Sequence, residues 1–84
     1  MNEERVKFEG KLGIAMRQAE EYRLKIARLV REMRNDLDPT VDAENLPALR
    51  VLQQADELSS THTELSILMG TIREYEEILG RRYR

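Results

Sequence analysis

The chain has 84 residues, with 14 Lys and Arg against 16 Asp and Glu and a net charge of −2, so it can hold only one small core and exerts no global pull on nucleic acid or anionic membrane. It has no Cys, which excludes disulfides and thiolate metal sites. A composition 36% charged and 40% hydrophobic, with no Trp, one Phe and two Pro, is that of long surface-exposed helices. No apolar run approaches the roughly 18 residues a membrane span requires, and no apolar stretch opens the chain. A cytoplasmic protein without signal peptide or membrane segment is therefore expected.

The first predicted element is a helix over about 3–37. Phe8, Leu12, Ala15, Ala19, Tyr22, Ile26, Leu29 and Met33 recur in steps of four and three, which keeps them on one helical stripe. Asn35, Asp36 and the pair Asp38-Pro39 end it, because a residue before proline is pushed out of the helical region. "DPTVDAENLP" supplies the connection over 38–46 and the start of the next element. Asn45 is the expected N-cap of the second helix, with Pro47 in its first turn, and Asp42 is an alternative cap for a preliminary turn.

The second helix is predicted over about 46–81. Val51, Leu58, Leu65, Ile72 and Leu79 lie seven residues apart, and Ala55, His62 and Met69 follow the first three by four. Across the hydroxyl-rich run Ser59, Ser60, Thr61, His62, Thr63, this phase persists. That run costs about 2–3 kcal/mol in helix propensity, which burial of the flanking leucines at about 1.5–3 kcal/mol each offsets. One continuous helix is the expectation, and a break at Ser59–Ser60, giving three helices, is the alternative. Gly80 is a candidate C-cap ahead of a basic tail at 82–84.

Two helices of equal length joined by a short Pro-containing loop imply an all-α fold, an antiparallel two-helix hairpin with long coiled-coil-like helices forming a single domain. The loop position sets facing residues to numbers adding to about 84, which places Tyr22 opposite His62, Ala19 opposite Leu65 and Ala15 opposite Met69, with Glu76 against Phe8 the poor match. Each stripe is wider than one seam. Met16, Val30 and Leu37 extend the first, and Leu52, Leu68 and Tyr75 extend the second. A second copy covering these flanks would make a homodimeric four-helix bundle, with the polar layer near Thr61 and His62 fixing alignment.

Candidate chemistry is sparse. His62 offers a neutral-range titration or a ligand nitrogen, but a core-edge histidine satisfied by the Tyr22 hydroxyl or a threonine explains it as well. A helical metal site needs a second histidine in a Glu-x-x-His pattern, whereas residue 59 is Ser and no other His exists. The chain contains neither a phosphate-binding glycine loop nor a nucleophile elbow; "GKLG" at 10–13 is too short a match. No enzyme activity, cofactor or metal is expected. Arg23, Lys25, Arg28, Arg31 and Arg34 fan around the outside of the first helix, which allows a weak nucleic-acid-binding regulator as the alternative function. The leading expectation is a non-enzymatic adaptor, chaperone or regulatory subunit with a protein partner or a second copy. Its expected surface comprises Leu12, Met16, Tyr22, Ile26, Leu29, Val30 and Met33 of the first helix. The second contributes Leu52, Leu58, His62, Leu65, Leu68, Met69, Ile72 and Tyr75. Ile14, Leu24, Ile67 and Ile78 fall outside both stripes.

Overall fold

In a computed structural model that describes residues 2–82, the chain is an extended helical hairpin. Helix α1 (Asn2–Asp36) and helix α2 (Ala48–Arg82) are each 35 residues long, and among the described residues there is no strand. The molecule measures 64 × 15 × 14 Å, with a radius of gyration of 18.9 Å. A compact domain of this length would have a radius near about 12 Å, so most side chains have water on one side. Among the described residues no helix is long and apolar enough to cross a membrane.

Local chemistry explains the bend. The Leu37 N–H donates to the Met33 carbonyl at 2.9 Å, closing the last turn of α1. Asp38 Oδ1 then accepts from the Thr40 N–H at 2.8 Å and the Thr40 hydroxyl at 2.7 Å, an Asx turn that leads the chain away through Pro39. A single 3₁₀ turn, Ala43–Asn45, follows Asp42, whose side chain makes no capping bond. Asn45, expected from the sequence to cap α2, is part of that turn. The Pro47 carbonyl instead accepts the first bond of α2, from the Val51 N–H at 3.0 Å. Pro47 suits that place because its missing N–H would have had no helical partner.

The hydroxyl-rich run does not break α2. Thr61 Oγ1 donates to the Glu57 carbonyl at 2.8 Å and Thr63 Oγ1 to the Ser59 carbonyl at 2.9 Å, so both hydroxyls are satisfied within the helix. Gly80 also differs from expectation: it lies inside α2, without the positive φ of a glycine cap. Tyr83 and Arg84 of the expected tail lie outside the described residues.

The seam between the helices carries the core. On α1 it is the expected stripe, from Phe8 to Met33, prolonged by Asp36; every member is buried or half-buried. On α2 the leucine ladder is as expected, but the residues between its rungs are Gln54, Thr61, Leu68 and Tyr75, three after each rung. His62 and Glu76 are exposed on the flank, while Ala55 and Met69 are half-buried at the edge of the seam, Met69 against the core cluster. Laid antiparallel, the two buried lines fall in step when paired numbers add to 87, which sets Ala15 beside Ile72, both members of the core cluster. Tyr22 is therefore not opposite His62, which is exposed; Thr61, 2% exposed, takes the seam position. The ends of the seam give the reason. The expected register set Glu76 on Phe8, whereas here Phe8 faces Leu79 and packs on the Tyr75 ring one turn away, centroids 6.1 Å apart, and Asp36 faces Val51 and reaches Gln54 on the next turn.

Candidate interaction surface

Several side chains expected to face a partner are used inside the hairpin. Ala15, Ala19, Leu29 and Ile72 are buried, and Leu12, Leu65, Leu68 and Met69 pack against the cluster that Ala15, Ala19 and Ile72 form. Tyr22, Ile26, Met33, Leu58 and Tyr75 are half-buried along the same seam. Leu68 and Tyr75, read from sequence as outward extensions of the second stripe, are seam residues for the register reason given above. Met16, Val30, Leu37 and Leu52, in contrast, remain exposed, at 55%, 38%, 49% and 58%.

These exposed residues share a flank. Met16 and Val30 of α1 and Leu37, the residue that follows the helix, lie whole multiples of seven residues apart, so they form a line beside the seam. A cleft of 280 Å³ opens on this flank, lined among others by Met16, Arg23 and Met69. At its centre an Arg23 guanidinium N–H donates to Met69 Sδ at 3.4 Å, and Arg23 stands 3.6 Å from Glu20. Toward the bend, Val41, Leu46 and Leu49 are exposed as well. On the other flank, Ile14 and Ile67 border two shallow clefts that share Gln18, Leu68 and Thr71.

Charge is arranged locally. Lys25 reaches Glu57 at 3.2 Å, and Arg28 is 3.1 Å from Glu32 and 3.9 Å from Glu57. Three of the five basic residues of 23–34 thus stand beside carboxylates, while Arg31 and Arg34 border a shallow depression with Asn35. Near the bend, Arg50 Nε donates to Asp36 Oδ2 at 2.9 Å while its Nη2 engages Oδ1, and Gln54 Nε2 adds a bond at 3.0 Å. The Arg50 fork holds the Asp36 carboxyl below its ordinary range against partial desolvation, and raises Arg50 in turn. Gln54 and Asp36 stand in seam phase, but hydropathy does not mark them as seam residues because both are polar. Among the described residues no three His, Asp or Glu side chains gather as a metal site would need.

No protein-family model matches the chain, and no curated protein and no solved structure shows significant similarity to it.

Proposed function

We propose that the chain is a non-enzymatic assembly module that acts by apolar helix-to-helix recognition, with self-association of hairpins into a four-helix bundle as its basic state. The observation that carries this reading is the line of Met16, Val30 and Leu37, exposed along one flank of α1 and just past its end, with Leu52 of α2 exposed as well. Isolated exposed apolar residues are ordinary, but a helical line of them beside a cleft is the pattern that marks docking surfaces. A thin core supports the same conclusion. Among the described residues Leu29 is the only large side chain fully buried, and the chain has no cysteine to form a disulfide that would restrain its unfolded state. Chains of this size commonly gain the missing burial by oligomerisation. Sedimentation velocity over low to high micromolar concentration tests the reading. Mass is expected to rise to that of a dimer, and a folded species that stays monomeric throughout would overturn it.

A further inference from the structure

The flank of α1 is written in a self-complementary order, and we propose that its occupant is a second copy of this chain, docked α1 against α1 in antiparallel about a two-fold axis between Glu20 and Arg23. This rests on the assembly reading above and specifies its surface. From Val6 to Leu37 the residues of the flank advance in alternate steps of three and four, and each is exposed. At about 100° per residue the line lies roughly 100° around α1 from the seam with α2. A helix in a square four-helix bundle must present its second neighbour a face near that angle.

Antiparallel pairing in which partner numbers add to 43 sets every layer in agreement. Glu20 meets Arg23 of the second copy, and Glu9 meets its Arg34, each twice by symmetry. Between these charged layers Met16 meets Ala27, a large side chain over a small one. Gly13 meets Val30 in the same way, and a Cβ built at Gly13 touches nothing within 4 Å of its own chain, so the space there is open. Val6, 64% exposed, closes the outer end on Leu37.

Competing alignments set like charges together or lay apolar side chains on charged ones. A parallel α1 pair sets Glu20 on Glu20 and Arg23 on Arg23. An antiparallel pair displaced by seven residues sets Met16 on Glu20 or on Arg34. Exposed ion pairs add little affinity but penalise wrong alignments, so the apolar layers bind and the charged layers select the register. On α2 the same flank, marked by the contact of Arg23 with Met69, continues through Ser66, His62, Ser59 and Ala55.

Two variant pairs test the surface. In Glu9→Arg/Glu20→Arg the flank is wholly basic and in Arg23→Glu/Arg34→Glu it is wholly acidic; each alone should sediment as a monomer with unchanged helical circular dichroism, and an equimolar mixture should recover the dimer. Register is read by disulfides, since the chain has no cysteine of its own. Met16→Cys/Ala27→Cys should oxidise to a covalent dimer, whereas Met16→Cys alone should not. The two positions lie about 16 Å apart along one helix and cannot bridge within a chain. A wild-type dimer that survives both charge reversals, or that is cross-linked by Met16→Cys alone, overturns this docking and leaves the assembly reading standing. A wild-type chain that stays monomeric removes both.

Discussion

Asp36 shows how much one residue does at the bend. It ends α1, extends the seam by one step and receives three hydrogen bonds from the first turns of α2. Gln54 is drawn into the seam to make one of them, and among the described residues its Oε1 is buried without a partner. An orphaned amide oxygen of that kind costs about 1–3 kcal/mol, so the contact to Asp36 has to offset it. Because Arg50 and Gln54 bond the ionised form, the Asp36 pKa falls below 3.8 on folding. Asp38 is lowered in the same direction by Thr40. A group depressed in this way contributes stability above its unfolded pKa and loses it as the pH falls through the folded one. Asp36→Asn should therefore lower the denaturation midpoint at neutral pH. The gap from wild type should narrow as the pH drops below 3.8, measured by urea titration at several pH values. A gap that stays constant into strong acid would show that ionised Asp36 does not hold the bend.

At the scale of the element, α1 is legible from Phe8 to Met33 and α2 only in part, for one physical reason. In α1 every seam position up to Met33 carries an apolar or small residue in the alternating step, and only the last, Asp36, is polar. In α2 the residues three and four after each rung compete: Thr61 with His62, Leu68 with Met69, Tyr75 with Glu76, Gln54 with Ala55. Nothing inside α2 decides between them. Phe8 and Asp36 of α1, which take Tyr75 and Gln54 at the two ends of the seam, decide it for the whole helix. Length, continuity and the exposed Met16, Val30, Leu37 and Leu52 were readable because they depend on one helix at a time. The caps were less so: Asn45 and Gly80 have the right propensities, but a 3₁₀ turn and a continuing helix took those places. The register can be tested at adjacent positions. Thr61→Val keeps shape and removes a buried hydroxyl whose acceptor, the Glu57 carbonyl, retains the helical N–H. Stability should hold or rise by up to about 1 kcal/mol in urea denaturation. His62→Gln, on the exposed flank, should change it by less than about 0.5 kcal/mol. A large loss at His62 with none at Thr61→Ala would restore the register in which His62 faces Tyr22.

For the whole molecule the decisive quantity is how much of the fold is intramolecular. A rod 64 Å long and about one helix pair wide buries one stripe per helix and leaves the α1 flank to water. The ordering entropy of every residue opposes folding whether or not its side chain is covered. If a second copy covers that flank, folding and association become one equilibrium, and the folded state gains about 1.4 kcal/mol for each tenfold rise in chain concentration. For two chains melting together this raises the thermal midpoint by roughly 4 °C per decade. The wild type should show that slope by circular dichroism. The wholly basic flank variant Glu9→Arg/Glu20→Arg should melt lower and at a temperature independent of concentration, since like charges now face each other across the proposed axis. Wild-type melts that superimpose from low to high micromolar concentration would mean that the seam alone, with its few buried residues and the Asp36 clasp, holds the hairpin closed.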